Sequence, residues 1–482
     1  MLGGSSNINY MYYVRGYEEN YKDWVSRGNK GWDWHSVADY YRKSEFLNSS
    51  DELRIRSKMY PDTNQYLGLT QSPWKEQTAK YLSSFKEKGY NVTSDYKDSN
   101  QMGYTDPTFN FFDNRRQSGS YAYIRPIITR KNLYILKKTM VRKIILDSKT
   151  AIGVDIEESN GDRKNVYARK EVILSAGAIN SPKLLMLSGI GPNEHLQNLG
   201  IQTTVNQPSV GTNLQDHVLV PIIITGGNKT SFKENLDVLN HLDKFPVPTI
   251  LGFIPLNSDQ KRPDYQVTAF PLPYGTIFPT LMCSNVFKWD NEICLAMANS
   301  TNQDTFFALI SFLHPKSRGT VRLRTNNSND EPLMSTGYFS NKNDITNFAK
   351  CVKDFANVVD STYFRSVDAK IVDFKVKQCA NIKFGTQKYW ECYVLNMAAS
   401  QFHFSGTCPM GPKGKGVLDE RLRVRGVKNL RVVDASIMPS IVSGNTHASV
   451  VMIAEKASDM IKTDHLNCIS ENDIDRFCEC WK

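Results

Sequence analysis

One stretch limits the fold of this 482-residue chain more than any other. Glu171-Val-Ile-Leu-Ser-Ala-Gly177 is a short, β-branched, apolar run that ends in glycine. It leads into a helical pattern from Ser181 through Leu187, which stops at Ser188 and Gly189. A buried strand, a glycine turn and a helix in direct succession are the working unit of a nucleotide-binding α/β sheet. A second strand, Leu430-Arg-Val-Val-Asp434, ends in an acid and has the same texture. After it, a last helix from Ala448 places Val450, Ile453, Ala454, Ala457 and Ile461 on one apolar face.

Between these two stretches the pattern changes. Val218 to Thr225, Phe306 to Leu313 and Thr320 to Leu323 read as strands, and Asp344 to Val359 as a helix. That alternation predicts an α+β unit with an antiparallel sheet backed by helices. Upstream, Leu133 to Leu136, Val141 to Leu146 and Ile152 to Ile156 predict a small sheet. Met1 to Ser44 predict a glycine-rich loop leading into aromatic helices. The expected organisation is an α/β, Rossmann-like nucleotide domain in two pieces, 1–216 and 401–462. An α+β substrate domain, 217–400, is inserted between them, and a Cys-containing tail covers 463–482.

The totals exclude several classes. Hydrophobic residues are 40% and charged ones 22%, which suits a folded core. The formal charge of +10 is spread along the chain rather than gathered into a basic block with aromatics, so nucleic acid is not an expected partner. No apolar run approaches the roughly 20 residues that cross a bilayer, and no leader pattern opens the chain, which as written reads as soluble and untargeted. Nine cysteines form no metal-ligand spacing, and simple burial is the expectation for Cys283, Cys294, Cys351, Cys379, Cys392 and Cys408. A disulfide is admitted for Cys468, Cys478 and Cys480 in the tail. Asn-x-Ser/Thr sequons at Asn48, Asn91, Asn228, Asn299 and Asn326 suit a secreted glycoprotein, and in an Asn-rich chain they also arise by chance. There is no Gly-x-Ser-x-Gly, His-Glu-x-x-His or Cys-x-x-Cys, so acyl transfer and zinc chemistry lack their minimum parts.

Five blocks carry a specific resemblance. Gly177-Ala-Ile-Asn-Ser-Pro-Lys-Leu-Leu-Met-Leu-Ser-Gly-Ile-Gly191 is the sharpest. Leu2-Gly-Gly-Ser-Ser-Asn-Ile-Asn9 with Tyr13-Val-Arg-Gly16, Val210-Gly-Thr-Asn-Leu-Gln-Asp-His217, His314-Pro-Lys-Ser-Arg-Gly-Thr-Val321 and Gly444-Asn-Thr-His-Ala448 complete the set. Together they make the chain, from Leu2 to Lys462, resemble the glucose-methanol-choline (GMC) family of flavin oxidoreductases. Within it the wording resembles the insect branch of glucose dehydrogenase-like and ecdysone oxidase-like members. That family opens with a strand, a Gly-x-Gly-x-x-Gly turn and a helix that receives the FAD pyrophosphate, and no such turn precedes Leu2. The expected FAD-binding domain is therefore incomplete, in either a fragmentary record or a natural short form.

The resemblance implies FAD as cofactor and a small-molecule alcohol as substrate, with electrons passing to oxygen or a quinone. It implies His403, in Gln401-Phe-His-Phe-Ser-Gly-Thr-Cys-Pro-Met-Gly411, as the base for the hydroxyl proton. His447 matches the second member of the catalytic pair, a place held by His or Asn, with Asn445 and Thr446 as alternative helix caps. The start of the last helix would face the flavin ring. Gly3, Gly4, Ser5 and Asn9 match the flavin-covering loop, Val141 the adenine contact, and Asp434 and Ala435 the strand end near the ribityl and phosphate groups. Their alternatives are a tight turn, a core valine and an N-cap aspartate. Phe404 stands where the family commonly has proline, which with Ser405 suggests a steroid alcohol such as an ecdysteroid; a sugar such as glucose is the alternative. An inactive member and a flavin-dependent lyase also stay open, as do oligomeric state and localisation.

Overall fold

The computed structural model describes residues 1–47, 67–93, 102–227 and 247–466. The Cys468, Cys478 and Cys480 tail and the sequons at Asn48 and Asn228 lie outside them.

Two hydrophobic cores organise the chain. The first surrounds the predicted nucleotide unit. Val172–Leu174 pairs in parallel with Leu430–Val432, in the register Val172 to Leu430, although 258 residues separate them in sequence. The helix that follows starts at Gly177, four residues before the apolar periodicity begins, and runs to Leu187 with Pro182 inside it. An internal proline removes one helical N–H and frees the carbonyl four residues back, here that of Ala178. The Thr407 hydroxyl donates to that carbonyl at 2.6 Å. A cost in one predicted helix is thus offset by the segment that carries His403. Trp24, Trp32, Tyr21 and Tyr41 pack into this core together with Ile437, Met452 and Ile453. The Met1 to Ser44 aromatics are core in the main.

The second core lies on an antiparallel sheet. Its strands, in spatial order, are Lys370–Ile371, Val218–Thr225, Thr305–Phe312, Tyr265–Leu272, Ile250–Ile254 and Gly103–Thr105, and Ala399–Ser400 also pairs with Val218–Thr225. Every residue of Thr305–Phe312 is buried, as are seven of the eight in Val218–Thr225. These strands are covered on both faces, which is why they read as continuous apolar runs instead of alternating ones. The helices Asn343–Ala356 and Gln387–Met397 contribute Phe348, Phe355, Trp390 and Tyr393 to the cover. The edge strand Gly103–Thr105 and the helix Lys75–Glu87 come from outside 217–400, yet Phe85 stacks on Tyr104 with ring centroids 3.6 Å apart and Tyr81 on Phe306 at 4.7 Å.

Two expectations fail. Leu133 to Leu136 is not a strand: Tyr134 is 85% exposed, and the small sheet begins only at Thr139–Asp147, continuing through Thr150–Glu158 and Arg163–Tyr167. Apolar residue type alone does not make a strand without a partner to take its backbone bonds. The expected simple burial also fails for four cysteines, which form the disulfides Cys283–Cys294 and Cys379–Cys392, while Cys351 and Cys408 are free and buried. Neither pair has a sequence signature, because tertiary packing sets which thiols meet. Mass spectrometry of unreduced proteolytic fragments is expected to show Cys283 joined to Cys294 and Cys379 joined to Cys392. Alkylation of all four without reductant would contradict the pairing.

Candidate active site

Three segments converge on His403. Antiparallel pairing runs past the sheet: Val218 aligns with Ser400, the Gln401 N–H donates to the His217 carbonyl at 3.0 Å, and Gln215 and Ser405 exchange backbone bonds. The register changes between these pairs at Phe402, whose φ of +61° is in the left-handed region. A non-glycine residue there costs about 1–3 kcal/mol and persists where neighbours over-determine it. Here they do. The Phe402 N–H donates to Ser400 Oγ at 2.8 Å and the His403 N–H to Asp216 Oδ1 at 2.8 Å. Asp216 Oδ2 accepts from Ser400 Oγ at 2.5 Å and from the Tyr338 hydroxyl. The buried Asp216 carboxylate has its pKa pushed up to about 6 by desolvation, against the lowering effect of these donors.

The His403 ring is held at both nitrogens. Nδ1 lies 2.9 Å from Nδ1 of His217, with the rings nearly perpendicular, and Nε2 lies 3.3 Å from Nδ2 of Asn445. Asn445 Oδ1 in turn accepts from Gln266 Nε2 at 3.0 Å. Asn445 is therefore committed to His403 rather than to capping the last helix, which begins at His447 and runs to Leu466. The Val450 N–H closes its first turn on the Thr446 carbonyl. His447 is half-buried, and its Nε2, which is shut off from solvent, has no hydrogen-bond partner among the described residues. Its pKa is drawn down to about 4, first by burial and then by the charge of Arg116. Arg116 donates to the Asn9 carbonyl at 2.5 Å and to Asn9 Oδ1 at 2.9 Å. The arginine thus holds the predicted Gly/Ser loop and sets its charge near His447.

In that loop Gly3 and Gly4 have φ of +86° and +56°, as a tight turn requires, and a side chain at Gly3 would collide with Ser120 and Asn7. Space over Gly4 is open and Ser5 is exposed. Ser6, buried beneath, donates to the Gly3 carbonyl and accepts from the Gly119 N–H. Val141 is 37% exposed on a strand whose register slips just after it, so it is not a core valine. Asp434 accepts from the Gly177 and Ser436 N–H groups, each at 2.8 Å, and from the Ser181 and Ser436 hydroxyls, each at 2.5 Å. It caps the turn at Ala435–Ile437 and fastens the Gly177–Leu187 helix to it. The sequence reading did not single out Asp216, His217, Arg116 or Tyr338 for chemistry, and it took Asn445 only as a cap. Asp216 and His217 stood in a quoted block, but their proximity to His403 depends on strand register.

Burial holds four histidines in the neutral form: His217 is drawn well down, His403 and His314 to about 3 and His447 to about 4. The reference value is 6.5, so below pH 6.5 the unfolded chain binds more protons than the folded one, and stability falls as pH falls. At about 1.4 kcal/mol per unit, His447 alone accounts for about 3 kcal/mol between pH 6.5 and 4. Asp216 has the opposite sign, since its raised pKa makes the folded state bind the extra proton between about pH 4 and 6, and it offsets only one histidine. The urea midpoint of the protein is expected to drop steadily from pH 7 to 4. A midpoint flat across that range would mean that the histidines are not buried neutral.

Among the described residues there is no cluster suited to a metal ion and no helix long and apolar enough to cross a membrane. The GMC oxidoreductase model matches residues 1–219 with its N-terminal part and 315–454 with its C-terminal part. Ecdysone oxidase of Bombyx mori is 34% identical over 96% of this chain and 70% of its own length. Glucose dehydrogenase (FAD, quinone) of Drosophila melanogaster is 31% identical over 96% of this chain and 74% of its own. Formate oxidase of Aspergillus oryzae superposes with a TM-score of 0.79 at 24% identity, covering 97% of this chain and 85% of that one. The matches take in both the loop at Gly3 and the segments that carry His403 and His447, and on them the chain belongs to the GMC oxidoreductase family.

Proposed function

We propose that this chain oxidises an alcohol, with His403 taking the hydroxyl proton at Nε2 and His447 steadying the alkoxide through its Nε2. As a GMC oxidoreductase it uses FAD, which when bound accepts the hydride from the carbinol carbon. The observation that carries the reading is the state of His403: buried, neutral well below pH 7, and gripped on both sides so that one nitrogen can act as a base. His447 supplies a second buried nitrogen with no partner among the described residues, as an oxygen of the substrate would require.

The residues present fit the flavin end of the cofactor. The open space over Gly4, the exposed Ser5, the Asn9–Arg116 pair and the start of the His447–Leu466 helix would meet the flavin with polar and positive groups. Val141 would meet the adenine. The four donors on Asp434 fill the lone-pair directions of a carboxylate, so contact with FAD at that turn falls to the backbone of Asp434 and Ala435.

A steroid-like alcohol suits the site better than a sugar. Phe402, beside His403, is 59% exposed and stacks on Phe287, which packs on Trp289. An exposed aromatic ladder of this kind would take the flat apolar face of a steroid. Ecdysone and glucose should be mixed anaerobically with the FAD-loaded protein. Bleaching of the flavin by ecdysone but not glucose is expected. Bleaching by glucose alone would replace the steroid reading, and bleaching by no alcohol would remove the oxidase or dehydrogenase reading altogether.

A further inference from the structure

We propose that Asp216 and Tyr338 are positioning residues for His403: the carboxylate fixes the main chain of the histidine, and the tyrosine fixes the carboxylate. Their effect on rate rests on the reading of His403 as the base, whereas their hold on its backbone does not. Two consecutive residues grip His403 at two points. The Asp216 side chain takes its backbone N–H at 2.8 Å, and the His217 ring meets its Nδ1 at 2.9 Å. A ring contact alone would leave the backbone free to carry the ring, and a backbone contact alone would leave the ring free to turn about its side-chain bonds. Together they settle where Nε2 lies.

An aspartate carboxylate by itself is a loose anchor, because its terminal torsion has a broad minimum. Oδ1 of Asp216 can hold the His403 N–H in place only if Oδ2 is held as well. Ser400 Oγ donates to Oδ2 at 2.5 Å, but Ser400 lies three residues before His403 and moves with the same loop. The Tyr338 hydroxyl also donates to Oδ2, and it comes from another part of the chain, just beyond the strand Leu333–Ser335. Burial and the neighbouring carboxylate both raise the Tyr338 pKa, so the hydroxyl keeps the proton that it donates. Tyr338 is the anchor from outside the loop.

The backbone is bent on both sides of this carboxylate. Phe402, just before His403, has a φ of +61°, and Phe339, just after Tyr338, has a φ of +58°. Bulky residues seldom adopt the left-handed region, and where they do the surroundings over-determine them. The Ser340 N–H donates to the Gly337 carbonyl at 3.0 Å, which makes Tyr338 and Phe339 the central residues of a turn. A left-handed third position in such a turn usually falls to glycine or asparagine. Both bends thus deliver a donor to Asp216. The carboxylate itself is turned away from any substrate: Asp216 is 4% exposed and both its oxygens are occupied.

The FAD-loaded protein labelled with 15N-histidine permits the test near pH 8, above the Asp216 value of about 6. The chain has eight histidines, and the His403 backbone amide is the signal lost in His403→Ala. That amide should move upfield in Asp216→Ala, which removes its acceptor, and in Tyr338→Phe, which loosens it. The limiting rate of anaerobic flavin reduction is measured with whichever of ecdysone and glucose bleaches the flavin. It should fall about tenfold in Tyr338→Phe and about 10²-fold in Asp216→Ala, the cost of a misplacement of about 1 Å, with the half-saturating alcohol concentration changed less than about threefold. Asp216→Asn, which keeps an oxygen for the His403 N–H and gives the hydroxyls an amide to accept, should restore most of the rate. Adding Tyr338→Phe to His403→Ala should cause no further loss, whereas a merely structural role would lower the rate in both backgrounds. An unmoved His403 amide in a folded Tyr338→Phe or Asp216→Ala overturns the inference, and so does an equal further loss in the His403→Ala background. If Asp216→Ala does not fold, Tyr338→Phe carries the test, since it removes one hydroxyl from a half-buried ring. A full rate in Tyr338→Phe beside a lost one in His403→Ala overturns the inference and leaves the base reading standing. A full rate in His403→Ala refutes the base reading instead, and the amide shift still decides whether the two residues hold His403.

Discussion

His403→Ala is expected to slow anaerobic reduction of bound flavin by an alcohol by about 10²–10⁴-fold, the usual contribution of a positioned general base. The loss should fall on the chemical step rather than on cofactor retention, because the His403 ring contacts His217 and Asn445, and the loop at Gly3 to Asn9 is held separately by Arg116. Flavin content and the unfolding midpoint should therefore change little relative to the rate. Single-turnover absorbance at the flavin band, with flavin content measured on the same sample, separates the two. A rate within tenfold of the unaltered protein would take the proton-abstracting role away from His403, and loss of flavin in step with rate would make the residue structural.

The largest stability effect is expected at Asp434. Its carboxylate accepts from two backbone N–H groups and two hydroxyls that belong to the Gly177–Leu187 helix and the turn at Ala435–Ile437. In Asp434→Ala the Ser181 and Ser436 hydroxyls can turn to other acceptors. The Gly177 and Ser436 N–H groups cannot, and an orphan costs up to about 1–3 kcal/mol, most at Ser436, which is buried, and less at Gly177, which is half-buried. Together with the lost charge-assisted bonds, a drop of about 3–5 kcal/mol is expected in urea denaturation of the protein without cofactor. Asp434→Asn should fall between, since it keeps one accepting oxygen and turns an amide N–H₂ toward donors. A loss under about 1 kcal/mol in Asp434→Ala would show that the helix and the turn are fastened by something else, and would return the carboxylate to the cofactor.

Much of the fold was legible because it lies in patterns of short range. The run Val172 to Leu174, the glycine at 177 and the helix to Leu187 need only neighbouring residues to be recognised, and so do the fully apolar strands Val218–Thr225 and Thr305–Phe312. Where the local pattern misled, a partner decided. Leu133 to Leu136 has strand-forming residues and no strand beside it. Cys283 and Cys294 look like scattered buried thiols until the helix Asn291–Ser300 brings them together.

The candidate site divides in the same way. Sequence by itself determined that His403 and His447 stand in blocks of the GMC pattern, that Gly3 and Gly4 begin a turn, and that Asp434 closely follows a strand, because each is marked by its immediate neighbours. Only the tertiary structure decided that Asn445 serves His403 rather than the helix start, that the charge of Arg116, which holds the loop, acts on His447, and that His217 meets His403 ring to ring. The last contact depends on an antiparallel register that slips at Phe402. Register is a property of two strands 186 positions apart, set by which faces can be buried together, and no single stretch of sequence carries it.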